Sequence, residues 1–503
     1  MRILLVYPKY PDSFWSLKYA LNFIDKKAAY PPLGLLTVAS MLPENWEKKL
    51  VDLNVKRLDD DELKWADYVF ISAMAIQKDS TDEVIARCRE SGKKVVAGGP
   101  LFTSEPEKYQ EVDHLILDEA EITLPDFIKD LEEGSPKQIY SSQNRPDLSL
   151  TPVPDLDLIN MEDYASMSIQ YSRGCPYDCE FCDITYLYGR KPRLKPLEVF
   201  LDELNAIYQR GWRGAVFIVD DNFIGNKQRI KKEVLPALID WMKEHKHPFS
   251  FITEASINLA DDEQLLEMMR KAGFKNVFIG IETPSEEGLI ECSKFHNVSK
   301  DLIACVKKIQ NYGMQVSGGF IVGFDSDTPA IFEKQINFIQ QSGIVTAMVS
   351  LLNAPKGTKL FKRLNEENRL LPDFSGNNTD FNLNFVPKME YQKLLEGYKS
   401  VVTKIYDPSS YYKRILEFFN EFKPAKNSSN IRMLRLYYLK AFFKAMFYLG
   451  IIERGRTHYW KLLIKTLFKY PRFLPQAITF AIYGFHFRKV FEYNFKNVKS
   501  WTG

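Results

Sequence analysis

The chain reads as an α/β protein of two successive parallel sheets followed by an α-helical C-terminal domain. Three observations predict this. Short apolar runs alternate with helical patterns twice, in residues 1–140 and again in 166–390. A Pro-, Ser- and Asp-rich stretch, 141–165, lies between them and reads as a linker. From 391 to 503 the strand patterns stop and basic helical stretches take over. At 503 residues the chain exceeds one core, and about 100–200 residues per domain suggests three domains. Its composition, 45% hydrophobic and 26% charged, is ordinary for a folded protein.

In the first segment Ile3–Tyr7, Lys49–Leu53, Tyr68–Ala73, Lys94–Ala97 and His114–Leu117 have the apolar content of strands. Leu33–Leu42, Ser80–Ser91 and Leu124–Leu131 carry helical patterns between them. Such alternation predicts a doubly wound, Rossmann-like sheet with its ligand crevice at the strand C-terminal ends. Gly98 and Gly99 directly follow a strand, where backbone can approach a ligand closely.

The second segment repeats the alternation. Met167–Tyr171, Ala215–Val219, Phe249–Thr253, Asn276–Gly280, Gln315–Ile321 and Thr346–Leu351 read as six strands with helices between. Asp220, Asp221 and Asn222 fall at the end of the second, Glu254 at the third, and Glu282 and Thr283 at the fourth. An apolar strand ending in a carboxylate aims that carboxylate at the mouth of a barrel, where (β/α) folds keep their chemistry. The bland alternative for each is a helix cap or an ion pair. Ser285 before Glu286 and Glu287 reads simply as a helix start.

Cys175, Cys179 and Cys182 sit in YSRGCPYDCEFCDITYLYGR, just after the first strand of this segment. Three thiolates on one loop can hold three irons of a 4Fe–4S cube and leave the fourth iron open to a small molecule, whereas electron-carrier clusters ordinarily take four Cys. Zinc wants four ligands in paired units, and Cys88, Cys292 and Cys305 are scattered. A disulfide framework is not expected from six Cys in 503 residues without a secretion signal.

This Cys-x3-Cys-x2-Cys loop, with Phe181 before its third Cys, resembles the radical S-adenosylmethionine (SAM) superfamily. The resemblance implies a partial (β/α)6 TIM-type barrel, a 4Fe–4S cluster on the three Cys, and SAM bound to the open iron and cleaved to a 5′-deoxyadenosyl radical. It implies SAM contacts from Phe181, Asp220, Glu254, Glu282 and Gly319. The first segment is similar to the cobalamin-binding domain of one large radical SAM class. YPPLGLLTVASML (Tyr30–Leu42) is like that class's entrance to its first helix, and Ser72, Gly98 and Gly99 are like its contacts to the cobalamin tail. The Asp-x-His-x-x-Gly lower-ligand pattern is missing, so cobalamin would bind without that His.

The class includes hopanoid, lipid and natural-product C-methylases. The resemblance therefore implies methylation of an unactivated carbon, with SAM consumed as methyl source through cobalamin and as radical source at the cluster. A cyclase or carbon–carbon coupling enzyme is the alternative within the superfamily, and a membrane-associated iron–sulfur redox or sensor protein the alternative outside it. A reductant such as flavodoxin or ferredoxin is expected as partner, and an oxygen-sensitive cluster fits a cytoplasmic setting.

The tail differs in charge. From Ile431 to Gly503 there are 14 Lys and Arg against two acids, Glu453 and Glu492. Lys461, Lys465 and Lys469 share one helical stripe, and Arg432, Arg435, Lys440 and Lys444 interrupt an aromatic-rich run. Basic amphipathic helices of this kind suit a membrane surface or an amphiphilic substrate; the bland alternative is a helical cap on the barrel. The longest uncharged run, Phe473–Phe487, is 15 residues with Pro475 inside it, short of the ~20 that a crossing needs. No nucleic-acid-binding module accompanies the charge, so no nucleic acid is expected.

Overall fold

A computed structural model describes residues 1–372, 374–424 and 436–496. Six parallel strands form the first sheet: β1 (Arg2–Tyr7), β2 (Glu47–Asp52), β3 (Tyr68–Ser72), β4 (Lys94–Gly98), β5 (His114–Ile116) and β6 (Ile139–Tyr140). Their spatial order is β2-β1-β3-β4-β5-β6, so the winding reverses between β1 and β3. Helices α1 (Leu33–Met41), α2 (Lys78–Glu90) and α3 (Ala120–Glu132) connect them. Ile3 and Leu5 face one layer with Leu35 and Phe127, while Leu4 and Val6 face the other with Val84 and Leu101. Being buried on both faces explains why these strands are continuously apolar. The two-residue strand β6 was not expected from sequence; it is too short to show a pattern. Helix α3 starts at Ala120 rather than Leu124, with Pro125 inside it.

The stretch 141–165 is fastened to both flanking domains, with Asp157 accepting from Arg210 at 2.8 Å on the side of the second. Thr151 Oγ1 donates to Glu121 at 2.7 Å, and the Tyr164 hydroxyl donates to Asp52 at 3.0 Å.

The second sheet contains β7 (Met167–Ile169), β10 (Gly214–Ile218), β11 (Phe249–Glu254), β12 (Phe274–Glu282), β13 (Gln315–Val322) and β14 (Thr346–Leu351), paired in that order and all parallel. A two-stranded ribbon, β8 (Ser172–Arg173) with β9 (Arg193–Leu194), flanks the cysteine loop. Helices α4 (Leu197–Gln209), α5 (Leu235–Glu244), α6 (Glu263–Ala272), α7 (Leu302–Asn311), α8 (Ala330–Ser342) and α9 (Lys359–Glu366) follow the six strands in turn, as in a partial (β/α)6 barrel. Alternation along β11 separates the faces. Phe251 and Thr253 are fully buried toward the helices, whereas Ser250, Ile252 and Glu254 are half-buried toward the lumen.

The chain's start lines that lumen as well. Trp15 meets the Phe278 ring edge-on at 5.3 Å, and Tyr30 packs against Phe217 at 5.3 Å. The C-terminal helices are α10 (Tyr391–Tyr406), α11 (Pro408–Glu421), α12 (Leu436–Phe447), α13 (Arg456–Lys469) and α14 (Leu474–Lys496).

The uncharged run Phe473–Phe487 forms most of α14, and this helix is core, with Ala477, Phe480, Ala481 and Phe487 buried. Its Phe487 stacks on Phe14 at 4.2 Å, and buried His486 donates from Nε2 to the Phe14 carbonyl at 3.1 Å. Burial holds His486 down at about 4, so it is neutral at ordinary pH. Lys461 and Lys465 are exposed as expected, while Arg432 and Arg435 lie outside the described residues. No helix among the described residues is long and apolar enough to cross a membrane.

Candidate active site

Strand β7 delivers the chain to the cysteine loop, and the ends of β7 and β10 are bolted together first. Asp220, 1% exposed, accepts from Tyr171 N–H at 2.8 Å and from the Ser172 hydroxyl at 2.6 Å. Next to it Asp221 accepts from Gly174 N–H at 2.7 Å. Burial pushes Asp220 up to about 6 and Asp221 up to about 7, against the pull of these hydrogen bonds. Gly174 has φ 93°, and a Cβ there would stand 2.8 Å from the Gly189 carbonyl, so only glycine lets the loop close on itself. Asp220, expected to touch SAM, has both oxygens committed to the loop; its geometry is that of a brace.

Cys175, Cys179 and Cys182 are all free and half-buried. Burial raises each thiol. No group of three acidic, His or Cys side chains closes around a single ion among the described residues. Three thiols spread along one loop instead fit a cube, in which each iron takes its own thiolate. Asn222 reaches Cys175 Sγ with Nδ2 at 3.9 Å. Its Oδ1 accepts from Ser256 N–H at 3.3 Å, and Asn258 donates to the Tyr177 hydroxyl at 2.6 Å. The loop's Glu180 is clamped by Arg363 of α9 at 2.7 Å, and Arg363 also holds Asp325 at 2.9 Å. Phe181 lies 6.5 Å from the Phe324 ring, beyond the end of β13.

Opposite the loop, Glu282 forms a buried ion pair with Lys294. Burial alone would lower the Lys294 ammonium; the Glu282 carboxylate outweighs it and holds the ammonium above its usual range. Glu282 itself has φ 65°, where the register of β12 against β13 slips between Gly280 and Glu282. A Cβ on Gly280 would fall 2.3 Å from Glu282 Oε1 and 2.6 Å from Lys294 Nζ, so the pair occupies the space a side chain would need. Gly319 pairs with Gly280, and its missing Cβ leaves room for the Phe278 ring, 2.9 Å from where that atom would be.

Glu254 ends β11 on the lumen side, and its electrostatic neighbours are Asp221, Lys294 and Glu282. Burial raises its carboxyl to about 8, so it carries a proton at neutral pH. The folded protein therefore binds a proton that the unfolded chain releases near its ordinary value of about 4.3. Stability from this group is complete below that value and is lost as pH rises through about 8. Glu254→Gln is expected to melt like the unsubstituted apoprotein at pH near 4 and above it at pH near 9, in paired thermal melts.

The first sheet turns its C-terminal edge toward this loop. Glu119, following β5, takes Arg173 at 2.9 Å and Arg193 at 2.8 Å, and Glu121 takes Arg173 at 2.7 Å. These buried pairs fasten the edge that carries Ser72, Gly98 and Gly99 to the ribbon beside the cysteines. Ser72 pairs with Gly98 in register. A Cβ on Gly98 would lie 2.7 Å from the Ile116 carbonyl, and one on Gly99, whose φ is 95°, would lie 2.9 Å from Ser72 Oγ. Both glycines let neighbouring segments of the sheet edge pack closely, Gly98 against Ile116 and Gly99 against Ser72 and Ala73. His114 stands at the opposite end of its strand and bonds the Lys137 carbonyl at 2.7 Å. Gly98→Val is expected to cost about 1–3 kcal/mol in thermal melts, since the obstructing atom is backbone.

Sequence reasoning passed over Lys294, Ser256, Asn258 and the lumen-lining Trp15. Each sits far along the chain from the residue it serves, and no local pattern marks it.

A cobalamin-type Rossmann sheet facing a three-cysteine barrel defines a class, and comparison with known proteins gives the same one. Residues 24–128 match the B12 binding domain, 169–339 the radical SAM superfamily, and 358–500 a domain of unknown function, DUF4070. The chain is 41% identical over 490 residues to an uncharacterised methyltransferase of Synechocystis sp., covering 97% of this chain and 91% of that one. It is 36% identical over 418 residues to the hopanoid C-2 methylase of Rhodopseudomonas palustris, covering 82% and 78%. Its fold follows that of the radical SAM methyltransferase TsrM from Kitasatospora setae, solved with cobalamin and a [4Fe-4S] cluster (TM-score 0.60, 15% identity, 98% and 99% covered). It also follows the cobalamin-dependent radical SAM enzyme OxsB (TM-score 0.61, 15% identity, 99% and 80% covered).

The chain belongs to the cobalamin-dependent radical SAM methyltransferases. It is an enzyme of that family, and its cofactors are a 4Fe–4S cluster, SAM and cobalamin.

Proposed function

We propose that this enzyme methylates an unactivated carbon of a hydrophobic, isoprenoid-type lipid held in the barrel lumen. The observation that carries this reading is the lumen itself, where Phe278 meets Trp15 and Phe217 meets Tyr30. The similarity to a hopanoid C-2 methylase supports the same substrate class. Within this reading the chain divides at residues 140, 165 and 390 into cobalamin domain, linker, barrel and helical domain. Cys175, Cys179 and Cys182 hold the cluster.

SAM lies beside Phe181, Glu254, Glu282 and Gly319. Glu282, paired with Lys294, would accept hydrogen bonds from the cofactor's cationic or hydroxyl groups. Protonated Glu254 donates one instead. Asp220 acts through the loop it braces. Ser72, Gly98 and Gly99 would receive the cobalamin tail, and the Glu119–Arg173–Arg193 contacts fasten that edge of the first sheet to the cysteine ribbon. When bound, the cofactors supply the radical and the methyl group, which a carbon without nucleophilic character requires. The protein's own part is to place the substrate and to exclude water with the aromatic lining.

A small reductant such as flavodoxin or ferredoxin serves the cluster in a cytoplasmic setting, and contact with a membrane surface through the C-terminal helices belongs to the same reading. The test is incubation of reconstituted enzyme with methyl-labelled SAM and a panel of polycyclic isoprenoids, tetrapyrroles and amino acids. Label is expected in the isoprenoids; label confined to the polar substrates would overturn the substrate class.

A further inference from the structure

Helices α12 and α13 carry an apolar face that no described part of the chain covers. Along α12 and the π-turn after it (Tyr448–Ile452), Leu439, Phe443, Phe447 and Ile451 recur every four residues, and all are exposed. On α13, Trp460, Ile464 and Phe468 repeat the spacing, with Phe468 82% exposed. The two stripes join where the Trp460 indole N–H donates to the Gly450 carbonyl at 2.9 Å. Single exposed apolar residues are ordinary on a protein surface; two adjoining stripes of them mark an interaction site.

Charge identifies the occupant. Lys461 and Lys465 flank the stripe of α13, and Arg472 follows it; none makes an ion pair among the described residues. Between residues 436 and 496 the acids are Glu453 and Glu492, and Lys489 holds both, at 3.4 and 3.1 Å. A second copy of the same basic face would be repelled. An aromatic-rich apolar face edged by lysines matches an acyl boundary under anionic headgroups. We propose that α12 and α13 lie in the plane of a bilayer interface, with Phe443, Phe447, Ile464 and Phe468 in the acyl region and Lys461 and Lys465 among the phosphates.

A cavity of about 230 Å³ opens at the edge of this face, lined by Lys444 and Tyr448 on one side and by Tyr19, Asn22, Phe23 and Phe485 on the other. Phe23 touches both Tyr448 and Phe485, and α14 continues from there to Phe487 and the Phe14–Trp15 segment at the lumen. A substrate dissolved in the bilayer meets this cavity first. The purpose of the docking rests on the hydrophobic-substrate reading above; its geometry does not.

The test is sedimentation of the full chain with phosphatidylcholine vesicles, with and without phosphatidylglycerol, at low and high salt. Binding is expected to phosphatidylglycerol vesicles and to weaken with salt. Lys461→Gln and Lys465→Gln should each weaken it about fivefold, and the Phe443→Glu/Phe468→Glu pair should abolish it. Leu150→Glu, altering an apolar residue 59% exposed in the linker, should leave it unchanged. Thermal melts confirm that each variant is folded, and the salt response of the unsubstituted protein needs no variant. Absence of binding by the unsubstituted protein overturns the proposal, as does full binding by a folded Phe443→Glu/Phe468→Glu variant. A dimer that those substitutions dissociate also overturns it, by making the face a self-interface. Vesicle binding without methylation of detergent-dispersed isoprenoids would sink the substrate reading and leave the docking standing.

Discussion

Alanine at Cys175, Cys179 or Cys182 abolishes release of 5′-deoxyadenosine and removes the visible absorbance of the reconstituted protein. On the proposed assignment each thiolate would be the protein's sole tie to one iron, so no neighbour could substitute for it. The remaining cysteines are placed elsewhere. Cys88 is fully buried in the first sheet's core, Cys305 lies on α7, and Cys292 donates weakly to the Leu289 carbonyl at 3.6 Å. Cys88→Ala and Cys305→Ala are therefore expected to keep full iron content. The apoprotein melts of the three loop variants should shift little, since a thiol-to-methyl change removes little buried volume. Iron per chain and product formation, measured side by side, separate loss of the cluster from loss of fold.

Lys294→Met is the substitution expected to damage the fold most. It leaves the Glu282 carboxylate, with a side chain 9% exposed, facing an apolar group in place of its partner. Breaking a buried pair from one side costs about 3–5 kcal/mol, or roughly 10 °C in the melting of a domain this size. Glu282→Gln in the same chain removes the stranded charge and should recover most of the loss. A double-mutant cycle on apoprotein melts measures this coupling. Near-additive losses would mean that the pair is not the unit it forms in the structure.

The strand–helix alternation was legible because parallel strands buried on both faces must be continuously apolar, and β1, β4 and β14 display that plainly. Ser285 was legible as a helix cap, and its side chain accepts from Gly288 N–H. What stayed hidden was decided by contacts across the chain. Asp220 reads like any strand-end carboxylate, and only the fold commits both its oxygens to Tyr171 and Ser172. Lys294 sits in a loop of no particular pattern and becomes part of the site through the slip in β12 that turns Glu282 toward it. The run Phe473–Phe487 was legible as too short to cross a membrane, but not as core. Apolar residues on all sides of a helix suit burial as well as they suit a membrane. Burial is the outcome here, because Phe14 and Tyr411 close over α14.

The central claim is that the cluster loop and the first sheet's glycine edge serve one reaction. The most direct test is an anaerobic assay of reconstituted enzyme with SAM, reductant and a hydrophobic isoprenoid, with and without cobalamin, following two products by mass spectrometry. The expected products are 5′-deoxyadenosine together with S-adenosylhomocysteine and a methylated lipid, the latter two only when cobalamin is present. Methylated lipid formed at the same rate without cobalamin, or 5′-deoxyadenosine as the sole product, would contradict it.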